Sequence, residues 1–473
     1  MDMATELLEN RVFGEIALGD SASVRKTITL DDIALFSVIS GDINPAHLDA
    51  DYAAGDLFHH IIAQGVLTAG LISAVLGTKL PGPGTIYLSQ DLKFRAPVSP
   101  GDCITATVTV TELLPEKHRV ILDCRCVNQD GLEVISGTAM VQAPVEKVSR
   151  RATVLPEVRL LRHEKLRDLL MRAAETPLLT AIVHPCDEVS LLAAAEAAQA
   201  GLITPILVGP ETKIRSVAAQ FNIDISVMRI EHAPHSHAAA ARAVALARDG
   251  EVKLLMKGAL HTDELLHEVM RTEFGLRTGR RLSHVYVLDV PSYPRPLLVT
   301  DAAINIAPCL TDKQCIVQNA IDLAHVLGIA NPRVALLAAV ESVNPAMPAT
   351  LDAAALCKMA ERGQITGATL DGPLAFDNAV SAAAAALKNI VSPVAGFADI
   401  LVAPNIEAGN ILAKQLTFLA GADAAGIVLG ASVPIILTSR ADDKRTRIAS
   451  CALAAMVAGH AQAEGLAGAS EHG

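Results

Sequence analysis

The run Phe36–His47, FSVISGDINPAH, decides how the first part of the chain reads. Gly41 and Asn44-Pro45 interrupt helix on either side of Asp42, which places its carboxylate on an exposed, sharply turned segment. Pro45 suits the first turn of a new short helix that holds His47 close to Asp42, with Asn44 between them as a substrate contact. A carboxylate and an imidazole converging on one water are what hydration of a conjugated double bond requires. One group takes a proton from water while the other delivers one to the α-carbon. A thioester also needs its carbonyl oxygen polarised. The N–H of Gly65, in Ile62-Ala63-Gln64-Gly65-Val66-Leu67, is suitably placed to donate there. The competing reading is that Asp42 caps the Pro45 helix and His47 is incidental.

Outward from this run, Ile104–Val110, Val120–Val127 and Val134–Val141 are β-branched or alternating, with turns at Pro100-Gly101 and Asp130-Gly131. The second turn predicts a hairpin. One long, densely apolar helix is expected around His59–Leu76. A single buried helix against antiparallel strands predicts a compact α+β domain over 1–145. His59 and His60 are adjacent, so on a helix they face different ways and are not read as metal ligands. A charged linker, 146–162, contains Lys147, Arg150, Arg151 and Glu157.

Over 163–473 short apolar runs alternate with alanine-rich helices. The strand candidates are Ala181–His184, Pro205–Val208, Lys253–Met256, His284–Val290, Arg333–Ala338, Ile400–Val402 and Pro434–Leu437. Such alternation predicts a largely parallel, helix-covered sheet. Two lobes are expected, one of about 163–298 plus 436–473 and the other of about 299–435.

Bulk properties narrow the function. A chain of 473 residues, 51% hydrophobic, exceeds what one core usually holds and is not mostly disordered. Its net charge of −12 argues against a nucleic-acid partner, and means that an anionic substrate must find local cations or helix N-termini. Eight cysteines without a CxxC pair fit buried thiols in a reduced, cytoplasmic setting. Cys124 and Cys126 should share one sheet face. The first eleven residues lack a hydrophobic signal core, and no run reaches about 18 apolar residues, so no membrane association is expected.

The second part holds five polar clusters. Four follow predicted strands, Leu297–Thr300 among them, where open α/β sheets place ligands. One, Asp371–Asp377, reads as a rigid turn with two carboxylates. The five are Met256-Lys257-Gly258-Ala259-Leu260-His261-Thr262, Asp301-Ala302-Ala303-Ile304-Asn305, Asp371–Asp377, Ala403–Asn410 and Leu437-Thr438-Ser439-Arg440-Ala441-Asp442.

The motif S-G-D-x-N-P-x-H resembles the (R)-specific enoyl-CoA hydratases of the MaoC-like group over roughly 28–143. That resemblance implies a hot-dog fold with Asp42 and His47 as the catalytic pair. The group usually has His-Gly where this chain has Gln64-Gly65. The five later clusters, in this order, resemble the phosphate acetyl/butyryltransferase family over roughly 162–458. That likeness implies a two-lobed α/β phosphotransacylase-like domain moving an acyl group between CoA and inorganic phosphate. Carried over, Ser439 would stabilise the oxyanion, Arg440 would hold phosphate, and Asp442, or its neighbour Asp443, would act as base. Asn405, Glu407 and Asn410 would line the cleft, with Lys257, Ser283, Arg295 and Asn305 as further substrate contacts. The substrates implied are acyl-CoA, inorganic phosphate and acyl phosphate, with no metal or redox cofactor, in a homo-oligomer. Three rivals stand beside this reading: a hot-dog thioesterase, a metal-dependent dehydrogenase in the second part, and a non-catalytic CoA-binding or assembly module in the first.

Overall fold

The computed structural model describes residues 7–156, 158, 160, 165–167, 177–437 and 442–470, the last ten as helix backbone. The chain divides into two compact units, Met1–Leu160 and Leu161–Gly473.

In the first unit a short pair, β1 (Leu7–Glu9) with β7 (Ser149–Arg151), is antiparallel. The main sheet contains β2 (Ser21–Thr27), β3 (Ile86–Phe94), β4 (Cys103–Leu114), β5 (Arg119–Val127) and β6 (Glu133–Gln142). Its order is β2-β4-β5-β6-β3, antiparallel throughout. Along β4 every second residue, Ile104 to Val110, turns inward, and β5 buries Val120, Leu122, Cys124 and Cys126 on the same face. This face holds α4 (Gly65–Thr78), which meets β2, β3, β4 and β5 and buries Ala69, Ile72, Val75 and Leu76. One sheet packed on one central helix is the hot-dog arrangement.

The helix begins at Gly65 rather than near His59. Residues 62 and 63 are held extended, because Ile62 N–H donates to the Ala46 carbonyl and Ala63 N–H to that of Val98. Helix α1 (Leu30–Ser40), α2 (Pro45–Leu48) and α3 (Ala50–Gly55) complete the unit.

The second unit carries one mixed sheet of eleven strands in the order β10-β9-β8-β11-β18-β17-β12-β13-β16-β14-β15. In chain order these are β8 (Leu178–Val183), β9 (Ile203–Gly209), β10 (Arg229–His232), β11 (Leu254–Lys257), β12 (Ser283–Asp289), β13 (Leu297–Thr300), β14 (Arg333–Leu337), β15 (Thr369–Leu374), β16 (Ile400–Val402), β17 (Asp423–Leu429) and β18 (Ile435–Ile436). Strands β8 to β11 and β18 are parallel to one another, and β13 to β16 are parallel to one another. Between the groups β12 is antiparallel to β13 and β17, and β17 is antiparallel to β18. Consequently β18 and β13 run in opposite senses. The lobe boundaries expected at 298/299 and 435/436 fall within β13 and β18. Apolar clusters cover the sheet, with small residues such as Ala193, Ala197, Ala240 and Ala243 letting helices approach closely.

Candidate functional site

Thr29 opens α1 by accepting from Asp32 N–H (3.1 Å), and Gly41 closes it at φ +75°, a left-handed conformation that glycine adopts without strain. The chain then turns. Asp42 N–H donates to Ser40 Oγ at 3.2 Å, and Asp42 Oδ1 accepts from Asn44 N–H at 3.2 Å. Asn44 Oδ1 accepts from Ala46 N–H at 3.1 Å, capping α2 with Pro45 at its first position. The Asn44 carboxamide oxygen is thus a cap, which leaves its Nδ2 as the group for the expected substrate contact.

One turn on, the His47 ring lies 2.8 Å from the Ile62 carbonyl through Nδ1. A carbonyl only accepts, so Nδ1 carries the proton and Nε2 presents a lone pair. That Nε2 lies 3.9 Å from Asp42 Oδ2, the His47 side chain being 11% exposed and that of Asp42 43%. The gap is too long for a direct hydrogen bond, and a water at ~2.8 Å from both atoms fits it.

Beside the pair is a cavity of about 430 Å³. Its wall includes His47, Phe58, Gly65, Thr68, Phe94, Arg95, Val98 and Ile135; Asp42 stands outside the wall. Gly65 opens α4, where N–H groups have no intrahelical acceptor. A Cβ at Gly65 would come within 2.8 Å of the Phe94 ring. Gln64, the residue before, is buried, and its Nε2 donates to Ser37 Oγ at 2.8 Å and to the Ile33 carbonyl at 3.3 Å. His59 sits at φ +60° and His60 meets Ser99 Oγ at 2.8 Å, so neither belongs to this group. The described residues contain no cluster of three or more His, Cys, Asp or Glu side chains able to hold a metal ion. None of their helices is long and apolar enough to cross a membrane.

In the second unit Ser439 and Arg440 lie outside the described residues. Asp442 follows them and accepts from Arg447 Nη1 through its backbone carbonyl at 2.7 Å. Burial, with the Asp442 carboxylate adding to it, pushes the Tyr286 hydroxyl up to about 12.

The remaining candidates do not converge on one sheet edge. Lys257 ends β11 and the run after β18 leads to Asp442, whereas Asp301 and Asn405 follow β13 and β16, which run the other way. Several are occupied internally. Ser283 is fully buried, its Oγ accepting from Asn319 Nδ2 at 2.8 Å, which corrects its expected place as an anion contact. Arg295 pairs with Asp399 at 3.4 Å through Nη1 and keeps its side chain partly exposed. Asn405 caps the helix Ile406–Phe418 through Oδ1 (3.0 Å from Ala408 N), while Asn410 ties that helix to the Ala302 carbonyl at 3.0 Å. Glu407 is exposed in the same first turn.

Sequence reasoning places Asp301 and Asn305 in a polar cluster but misses that Asp301 is buried beside a histidine, His284, on β12. Asp301, 3% exposed, accepts through Oδ1 from the N–H groups of His284 (3.3 Å), Ala303 (3.0 Å) and Ile304 (3.1 Å). Its Oδ2 accepts from Asn305 N–H at 3.0 Å and from Asn305 Nδ2. Asn305 Oδ1 in turn accepts from Arg281 Nε at 2.9 Å. The His284 ring stacks edge-on against Tyr286, centroids 4.4 Å apart, and a Cβ at Gly426 would come within 3.0 Å of His284 Nε2. Burial lowers His284 to about 4, with Asp301 partly opposing. β12 therefore links the Asp301 loop to the neighbourhood of Asp442. The only hint in the sequence was polar His284 inside an apolar strand run.

Known proteins match the two units separately. Residues 235–455 match the family model described as "Phosphate acetyl/butaryl transferase", and residues 18–122 match that described as "MaoC like domain". A phosphate acetyltransferase of Rhizobium meliloti is 63% identical over 290 residues, 61% of this chain and 92% of its own length. The crystal structure of a branched-chain phosphotransacylase from Enterococcus faecalis V583 superposes with a TM-score of 0.53 at 31% identity, covering 59% of this chain and 99% of that one. An R-hydratase from Pseudomonas aeruginosa in the unliganded form is 43% identical, covering 33% of this chain and 99% of its own, with a TM-score of 0.32. The fold and the two family models define an acyltransferase-type unit preceded by a MaoC-like one. The chain belongs to the phosphate acetyl/butyryltransferase family.

Proposed function

We propose that the chain is a bifunctional acyl-CoA enzyme. The first unit reversibly hydrates a trans-2-enoyl-CoA to the (R)-3-hydroxyacyl-CoA; the second transfers an acyl group between CoA and inorganic phosphate. One observation carries the first half: a 3.9 Å gap between Asp42 Oδ2 and His47 Nε2, beside an apolar-walled cavity that Gly65 helps to line. A water in the gap donates to both groups. One of the pair takes a proton from the water as its oxygen attacks the β-carbon. The same group then passes that proton to the α-carbon while the other holds the water in place. Gly65 N–H, at the positive end of α4, receives the enolate charge that develops on the thioester oxygen.

For the second half, family membership supports attack of the CoA thiol on an acyl-phosphate carbonyl, with phosphate leaving. Asp442 is the proposed base, Ser439 the oxyanion donor and Arg440 the phosphate-holding cation. The reading calls for no metal or redox cofactor, and it places the enzyme in the cytoplasm as a homo-oligomer.

Two assays on one preparation test it. Crotonyl-CoA should lose its enoyl absorbance, and butyryl-CoA should release free thiol only when phosphate is present. Asp42→Asn should abolish the first and spare the second. Thiol release from crotonyl-CoA without phosphate would instead favour a thioesterase. An unreactive enoyl thioester in a preparation with working acyl transfer would leave the first unit a binding or assembly module.

A further inference from the structure

The side chain of Gln64 joins two parts of the first unit that the hydration chemistry needs to keep in register. Gln64 caps α4, so the next peptide N–H is that of Gly65. Its amide reaches back to α1, where Nε2 donates to Ser37 Oγ at 2.8 Å and to the Ile33 carbonyl at 3.3 Å. The Ser37 carbonyl accepts from Gly41 N–H at 2.9 Å, closing the turn from which Asp42 hangs. His47 is fixed separately, through the carbonyl of Ile62, two residues before Gln64. Gln64 itself is 3% exposed and does not line the cavity.

We propose that Gln64 is a positioning residue for hydration, setting the distance between the carboxylate of Asp42 and the N–H of Gly65 through its donor half. This rests on the hydration reading above. The donor half is what matters because the Ile33 carbonyl can only accept, and Gln64 Oε1 has no hydrogen-bond partner among the described residues. A side chain of the same length that cannot donate leaves α1 untied. An acid there reaches the Ile33 carbonyl only while protonated, since the ionised form can accept from the Ser37 hydroxyl but has nothing to donate. At a site this buried the carboxyl is pushed toward its neutral form.

Two variants test the role. Gln64→Leu removes both donors and should lower kcat for crotonyl-CoA hydration roughly 10- to 100-fold, the scale of a misplaced catalytic group, while KM stays within about threefold. Gln64→Glu keeps the side chain's length should the leucine variant misfold. Its kcat, divided by that of the wild type at each pH, should rise as pH falls. A merely structural glutamine predicts a lowered melting temperature with a flat ratio. A flat ratio, or kcat within about threefold of wild type for both variants, overturns the positioning role while the hydration reading stands. A wild-type chain that leaves crotonyl-CoA unhydrated overturns both.

Discussion

Asp301→Asn is the substitution whose cost can be worked most directly from the second unit. The carboxylate, 3% exposed, accepts four backbone N–H groups and the Asn305 side chain. An asparagine placed with its oxygen at the Oδ1 position keeps the bonds from His284, Ala303 and Ile304. Its NH₂ then faces the Asn305 backbone N–H and one N–H of Asn305 Nδ2, both left unpaired, while the other Nδ2 hydrogen keeps the Leu282 carbonyl at 2.8 Å. Each buried donor left unpaired costs about 1–3 kcal/mol, and the three retained bonds lose their charge assistance. A total of about 3–5 kcal/mol follows, in the range found when a buried charge loses its partners. For a unit of about 300 residues, with an unfolding entropy of about 2.1 cal/mol/K per residue, that corresponds to a fall of about 5–8 °C in melting temperature. Calorimetry should show the second unit's transition lowered and the first unit's unmoved. Deuterium exchange should show faster labelling of the amides of Ala303 to Asn305. A shift below about 2 °C with unchanged protection would refute this account of the Asp301 loop.

Other consequences concern acidity, reactivity and fit. Burial holds His284 near 4, whereas the unfolded chain titrates near the ordinary 6.5. Below 6.5 the unfolded state therefore takes up a proton that the folded state refuses. Stability should fall as pH drops from 6.5 toward 4, by up to about 3 kcal/mol, and His284→Asn should flatten that slope in urea titrations. The Cys103 thiol is held below its ordinary value by hydrogen bonds to the Thr27 side chain and to Arg25, whereas burial pushes Cys124, Cys126 and Cys451 up to about 12. Iodoacetamide should therefore label Cys103 well before those three in peptide mapping, and early labelling of Cys451 would contradict its burial. Gly65→Ala drives a methyl group to within 2.8 Å of the exposed Phe94 ring at the cavity wall. It should raise KM more for longer enoyl thioesters than for crotonyl-CoA, with little change in melting temperature; equal effects across chain lengths would count against the cavity as the acyl pocket.

The first unit was legible where burial imposes a period. Strands β4 and β5, and β6 from Ala139 on, alternate between core and surface, and the sequence shows it. The strands β2 and β3 were not read, because their residues are largely exposed and carry polar side chains on both faces. The start of α4 was placed too early, since nothing local in residues 59–64 shows that Val98 and Ala46, distant in sequence, hold that segment extended. Asp42, His47 and Gly65 were readable because a glycine, a capping Asn-Pro and a helix start fix them locally.

The second unit gave up its strands but not its site. Short apolar runs identify β8, β11, β14 and β16, yet strand polarity is set by long-range pairing. The reversal at β12, which separates Lys257 from Asn405, has no local signature. β15 was read as a turn because Asp371-Gly372-Pro373 are turn residues that pairing with β14 overrides. Ser283 and Arg295 enter as substrate contacts through the family likeness alone, because no local signal in the sequence shows Asn319 and Asp399, distant in the chain, as their partners.

The central claim is that one water, held between Asp42 and His47, adds to the double bond of a bound thioester. Crotonyl-CoA turned over in heavy-oxygen water tests it most directly. The account predicts an intact CoA thioester carrying the label in its 3-hydroxyl group, and no such product from Asp42→Asn. Label found instead in the carboxylate of a free acid, or nowhere at all, would contradict it.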